Sequence, residues 1–413
     1  MHYFKFIDNY LYCEEVKVED ICNNNIETPF FLYSKRTIED HFTKLDQAFS
    51  DIAHIICYSV KSNSNLSILK ILKNLGSGAD IVSGGELFRA LKAGIEPQKI
   101  VYSGVGKTDE EIKEAINANI LMFNVESEEE IDVLDEIAGK LGKKVGVALR
   151  VNPDVDPKTH EKITTGKEKN KFGISLQDTE TIYSKIKKKK NLRILGIACH
   201  IGSQILTPEP YINTIKIIRK IIFSLAKEGI TLKYLNIGGG FGIVYNNENP
   251  STAEEFRIAI DHLISDLNLT LIMEPGRFIV GNAGILVTKV LFTKKTGKKR
   301  FVIVDAGMND LIRPTLYDAF HAIHPVSPTN PTKTKVDVVG PICESGDYFA
   351  KDRMLPEVKR GDFLAIMSAG AYGFSMSSNY NSRRRATEVL VDNEKFRIIR
   401  ERETYNDLIK LEL

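Results

Sequence analysis

Between residues 30 and 285 short apolar runs alternate with amphipathic stretches, and no other feature restricts the possible fold as much. The runs are "PFFLYS", "HIICYSV", "ADIVS", "KIVYSG", "ILMFNVES", "KVGVALRVN", "ILGIACHIGS", "KYLNIGGG" and "LTLIMEPG". They lack polar alternation, which suits strands covered on both faces, as in a parallel sheet. Between them, "NLSILKILKNLG", "TDEEIKEAINAN" and "EPYINTIKIIRKIIFSLAKEG" carry a helical period. Thr108 with Glu111, Ser127 with Glu130, and Ser251 with Glu254 have the spacing of capping boxes, and Gly76, Gly94 and Gly229 stand where helices should stop. About eight such strand–helix units predict an α/β fold, a (β/α)8 TIM-like barrel rather than an open doubly wound sheet.

The unusual polar residues support the barrel. Lys61, Asp80, Asn152, His200, Gly238 to Gly240 and Glu274 to Arg277 each follow an apolar run. Barrel enzymes build their sites at that rim. The whole chain has 413 residues, room for a barrel of ~250 and a smaller module. After 285 the texture turns β-like, as in "ILVTKVLFTKKTGKKRFVIVDAG", "KVDVVGPI" and "DFLAIMSAGAY". The expected division is a barrel over 30–285 and a C-terminal all-β domain over 286–413 that also takes in the N-terminal segment 1–29.

A net charge of +2 gives no case for a nucleic-acid or membrane partner. The basic stretch "KIKKKKNLR" lacks interleaved aromatics and reads as a solvated helix end rather than an anion site. No apolar run approaches the ~20 residues that span a bilayer, and "MHYFKFIDNYLYCEE" has no signal-peptide layout. Five cysteines without a C-x-x-C pair predict free thiols, a reducing cytoplasm and no metal site.

Several rim stretches carry chemistry. Lys61 in "YSVKSNSN" is either a surface lysine or a Schiff-base lysine that condenses with a carbonyl. "NIGGGFG" is either a tight turn or a nest of backbone N–H groups for phosphate. Its spacing does not fit a G-x-G-x-x-G dinucleotide loop. Glu274 and Arg277 in "MEPGRFIV" are either a salt bridge at a barrel mouth or two separate tools. A carboxylate can keep a pyridine nitrogen protonated, and an arginine can hold a carboxylate or phosphate with two hydrogen bonds. His200 in "ACHIGSQ" is a site or a structural histidine. Cys343 in "VGPICESGDYF" is an inert thiol or a proton donor, and Tyr372 in "SAGAYGFSM" could bring a phenol to a ligand.

Taken in order, "YSVKSNSN", "SGADIVSGGE", "RVNP", "KFGI", "HIGSQ", "NIGGGFG", "EPGR", "CESGD" and "GAYGFSMSSNYNSRRR" run through nearly the whole chain. With them the sequence resembles the diaminopimelate decarboxylases, within the alanine-racemase-like (fold type III) enzymes that use pyridoxal phosphate. The resemblance implies that Lys61 binds the cofactor covalently, His200 stacks on its ring and Glu274 pairs with the ring nitrogen. Gly238, Gly239, Gly240 and backbone near Gly276 would hold the phosphate, helped by Ser203 and Tyr372. Arg277, which would also touch the cofactor, Arg313 and Tyr317 would recognise the far end of the substrate, Tyr372 and Glu344 binding it as well. Cys343 and Glu344 match a segment contributed across a homodimer interface, the cysteine as proton donor. Asp80 matches a residue near the cofactor lysine, with no role assigned.

The implied reaction is decarboxylation of meso-diaminopimelate to L-lysine and carbon dioxide, the last step of lysine biosynthesis. The alternatives are a decarboxylase of ornithine, arginine or carboxynorspermidine on the same scaffold, an amino-acid racemase, and a pyridoxal-phosphate-binding regulatory protein without turnover.

Overall fold

The computed structural model describes residues 2–156, 166 and 171–413. The chain divides into two compact units. One comprises His41–Ile243 and Asn249–Phe278; the other comprises Met1–Asp40, Val244–Glu248 and Ile279–Leu413.

The first unit is a closed parallel barrel of eight strands: β1 (His54–Ser59), β2 (Gly78–Ile81), β3 (Ile100–Tyr102), β4 (Met122–Val125), β5 (Val145–Arg150), β6 (Leu192–Ala198), β7 (Tyr234–Asn236) and β8 (Thr270–Met273). β8 pairs with β1 to close it, Leu271 opposite His54. These are eight of the nine apolar runs. Small and branched side chains from several strands fill the interior, among them Cys57, Val101, Ala148, Ala198 and Ile272. The Cys57 thiol is pushed far up by burial, so it acts as a small apolar filler.

The ninth run corrects an expectation. "PFFLYS" is not a barrel strand: Phe30–Ser34 lies in the second unit, antiparallel to Gly284–Thr296 and parallel to Thr387–Asp392. All five residues are buried, so the strand has the same unbroken apolar face as a barrel strand. The expected boundary at residue 30 is displaced to about 40 for this reason.

The second unit is built on a nine-stranded sheet, with a three-stranded sheet from residues 4–17 in the N-terminal segment. The sheet path runs Tyr348–Glu357, Asn330–Val339, Lys299–Val304, Gly284–Thr296, Phe30–Ser34, Thr387–Asp392 and Lys395–Arg400. Its core joins Leu11, Val18 and Ile21 to Phe30, Leu32, Ile285, Val287 and Val389, which is why the N-terminal segment belongs with the C-terminal strands.

Thr108 and Glu111 form the expected reciprocal capping box. Ser127 caps Glu130, but the Glu130 carboxylate accepts from Glu126 N instead of returning to Ser127. The third box lies one residue later than expected, between Thr252 and Glu255. The basic run is a solvated helix end. Lys185 pairs with Glu128, Lys189 with Asp132, and Lys187 donates to Glu228 O. Among the described residues, no helix is long and apolar enough to cross a membrane.

Candidate active site

Lys61 follows β1 directly. In the β1–β2 register Ser59 stands opposite Asp80, so both strands deliver their last polar groups to one point. Lys61 Nζ lies 2.7 Å from Asp80 Oδ2, and the Ser59 hydroxyl donates to the same oxygen at 2.7 Å. Asp80 is wholly buried. Burial alone would raise its carboxyl, but the Lys61 ammonium and the Ser59 hydroxyl hold it below its ordinary value. Asp80 therefore has a place: it is the counter-ion that fixes the Lys61 amine. Among the described residues, its other oxygen, Oδ1, is buried with no hydrogen-bond partner.

Glu274 follows β8 and is also buried. The amides of Asn236 at the end of β7 and Asn124 in β4 both donate to its Oε1, at 2.6 and 3.2 Å. Two amides on one oxygen fix the carboxyl plane. Burial, reinforced by the Asp80 charge, pushes Glu274 up to about 7. In the protein alone, Glu274 thus retains a proton that the unfolded chain would release. The stability this contributes is full below the ordinary carboxyl range and is lost as pH rises through about 7. Relative to Glu274→Gln, the melting temperature of the cofactor-free protein is therefore expected to fall more steeply, or rise less, between pH ~5 and ~8. Thermal denaturation of both proteins checks this; equal slopes would refute it.

The loops after β6 and β7 are zipped together. Ile205 N donates to Gly240 O, Gly242 N to Ile205 O, and the Gln204 amide bonds Ile243 on both its N and O. Here glycine is obligatory. A Cβ on Gly239 would lie 2.0 Å from Glu274 O, and Gly238 and Gly240 have φ of +69° and +107°. Two of the three N–H groups expected to face phosphate are already engaged. Gly238 N donates to Asn236 Oδ1 and Gly239 N to His200 Nδ1. Among the described residues, the Gly240 N–H has no partner.

Because His200 Nδ1 accepts from Gly239, the neutral ring carries its proton on Nε2. Dense surroundings, and then the Arg150 and Lys61 cations, push the imidazole down to about 3. It is uncharged at neutral pH and offers a flat apolar face. Arg277 is buried and donates to the Ser203 hydroxyl at 3.0 Å. A Cβ on Gly276 would lie 3.0 Å from Ser59 Cβ, so the "EPGR" turn packs tightly on the end of β1. An amine on a buried counter-ion, a fixed carboxyl, a neutral imidazole and a glycine loop match what pyridoxal phosphate requires: an aldehyde partner, a ring-nitrogen partner, a ring face and an anion cradle.

The remaining candidates lie in the second unit. Arg313 and Tyr317 begin and end a single helical turn, Arg313–Tyr317, which sets them on one face. Arg313 is buried, with its guanidinium 4.7 Å from the Tyr245 ring centre. Cys343 and Glu344 are exposed on a loop tied down by Asp347, whose carboxylate accepts from Met308 N and Ile342 N at 2.7 and 2.6 Å. Tyr372 has a φ of +56°, uncommon for an aromatic residue.

Sequence reading missed Asn124, Asn236, Arg150 and Glu126. Arg150 at the end of β5 pairs with Glu126 at 2.7 Å, and both are buried. The signal was present. Asparagine and arginine are poor residues for parallel strands, yet "FNVE", "YLNIGGG" and "ALRVN" carry them at the strand ends.

Residues 35–281 match the family described as pyridoxal-dependent decarboxylase, pyridoxal binding domain. A diaminopimelate decarboxylase of Aquifex aeolicus is 50% identical over 99% of this chain and 97% of its own. The crystal structure of diaminopimelate decarboxylase from Helicobacter pylori complexed with L-lysine is 46% identical. It aligns over 96% of this chain and 99% of that one, with a TM-score of 0.93. The enzyme of M. jannaschii in co-complex with L-lysine is 37% identical over 99% and 97%, with a TM-score of 0.94. Likeness of this order, sustained along both partners in every pairing, means that the chain belongs to the diaminopimelate decarboxylases, within the pyridoxal-dependent decarboxylases.

Proposed function

We propose that this protein removes carbon dioxide from meso-diaminopimelate to give L-lysine, using pyridoxal phosphate. One observation carries the substrate: full-length relatives at up to 50% identity bear that name, and solved ones hold L-lysine. When bound, the cofactor supplies an electron-withdrawing ring that accepts the electron pair left as carbon dioxide departs.

The chain's own groups do the rest. Lys61 supplies the amine that ties the cofactor down, and Asp80 holds that amine in place. His200 covers the ring face without competing for charge. Glu274, fixed by its two amides, balances a protonated ring nitrogen. The Gly240 N–H, with Arg277, Ser203, Gly276 and Tyr372, serves the phosphate and the adjoining substrate groups. Cys343 Sγ delivers the proton that replaces the lost carboxylate, with Glu344 beside it.

Meso-diaminopimelate has one D and one L centre, and the product keeps the L centre. The carboxylate lost is therefore the D one, and the distal carboxylate is retained. We assign its recognition to Arg313 and Tyr317. A buried arginine without that carboxylate is costly, so compounds lacking it are disfavoured. We also propose a homodimer in which Cys343 and Glu344 serve the partner's site, since both are exposed in the single chain. Free thiols fit a cytoplasmic location.

Incubation of the holoenzyme with meso-diaminopimelate should release carbon dioxide and L-lysine in equal amounts, with no amine formed from L-ornithine or L-arginine. Turnover of either of these without turnover of meso-diaminopimelate would move the substrate assignment. Isomerised substrate without carbon dioxide would move the reaction.

A further inference from the structure

Behind Arg313 stands a buried histidine. His321 lies just before the strand Ile323–Pro325 and exposes none of its surface. Its Nδ1 is 2.7 Å from Met367 O, and its Nε2 is 3.2 Å from Arg313 Nη1. A carbonyl can only accept and a guanidinium can only donate. The proton therefore sits on Nδ1, Nε2 accepts, and the ring is neutral in one tautomer.

The backbone around this histidine is held from several sides. Met367 N donates to Ala322 O at 2.8 Å, and Arg353 Nη1 donates to His321 O at 2.9 Å. The Tyr245 ring under the Arg313 guanidinium also meets the His321 ring edge-on, 5.5 Å between centres at 80°. Arg313 is thus fixed by an acceptor at one nitrogen and by a ring against its plane.

We propose that His321 is a positioning residue for substrate selection: by accepting from Nη1, and with Tyr245 against the plane, it sets the orientation in which Arg313 meets the distal carboxylate. This rests on the assignment of Arg313 to that carboxylate. Two-point recognition needs both N–H directions correct at once, which a flexible arginine stem does not provide unaided. His321 acts on which amino acids bind and not on bond breaking.

The test uses the holoenzyme and two inhibitors of meso-diaminopimelate turnover. L-lysine keeps the distal carboxylate; cadaverine lacks it. His321→Asn keeps an N–H near the Nδ1 position and loses the acceptor for Arg313. His321→Gln places an amide oxygen near the Nε2 position. His321→Asn is expected to raise KM and the L-lysine inhibition constant ~tenfold or more, with kcat changed less than ~threefold and cadaverine inhibition unchanged within ~twofold. His321→Gln should recover most of the loss. Tyr245→Leu, which removes the ring but leaves His321, should also weaken L-lysine more than cadaverine, and it serves if His321→Asn does not fold.

Unchanged L-lysine inhibition in His321→Asn, equal weakening of both inhibitors, or no recovery in His321→Gln would overturn the proposal. Arg313→Ala separates the two levels. If it leaves L-lysine inhibition intact, the assignment of Arg313 fails. If it weakens L-lysine while His321→Asn does not, only the positioning role fails.

Discussion

Lys61→Ala is expected to lose decarboxylation by on the order of 10⁴-fold or more, because the proposed chemistry takes its cofactor-holding amine from Lys61. The amine sits 2.7 Å from a carboxylate with no exposed surface. Alanine would also strand that carboxylate. The destabilisation should stay below the about 3–5 kcal/mol of a fully buried broken pair, because the Lys61 side chain is 35% exposed. Lys61→Arg separates the two effects. It keeps a cation for Asp80 but lacks a condensing amine, so it should be as inactive as alanine and closer to wild type in stability. Borohydride treatment of the wild-type holoenzyme, followed by peptide mapping, should place the cofactor tag on the peptide carrying Lys61. A tag on another lysine, or activity surviving in either variant, would remove the foundation of the proposed chemistry.

Glu274→Gln should lower kcat by on the order of 10²-fold or more while leaving cofactor bound. The glutamine carbonyl can still accept from Asn124 and Asn236, so the side chain should stay in place. What is lost is the negative charge, and an amide cannot balance a protonated ring nitrogen. KM should move much less than kcat, since the charge matters most when electrons flow into the ring. Steady-state kinetics with the cofactor content measured in parallel decide the matter. A kcat within ~threefold of wild type at full cofactor content would mean that Glu274 does not face the ring nitrogen.

Much of the barrel was legible because each of its strands is covered on both faces and each is followed by a helical period. The same property caused the one misplaced strand. Phe30–Ser34 is as thoroughly buried as any barrel strand, and an apolar run carries no record of which neighbours bury it. Candidates stood out where chemistry sits next to the chain's own punctuation, as at Lys61 and the glycine loop. The site was illegible where the partner comes from another strand. Asp80 acquires meaning only because β1 and β2 pair with Ser59 opposite it. Asn124 and Asn236 stand 112 residues apart and meet on one oxygen of Glu274. His321 was missed for the same reason: its partners Arg313 and Met367 come from a helix and a loop, and no spacing announces them.

The displaced strand also shapes how the protein is made. Residues 30–34 leave the ribosome long before residues 284–287 and 387–391, between which they are finally hydrogen-bonded. Every barrel strand is synthesised in the interval, so the barrel is free to assemble first while this apolar ribbon waits with both edges open. A nascent chain stalled short of residue 387 would still lack one of its two neighbours, leaving a hydrophobic edge ready to pair with another chain.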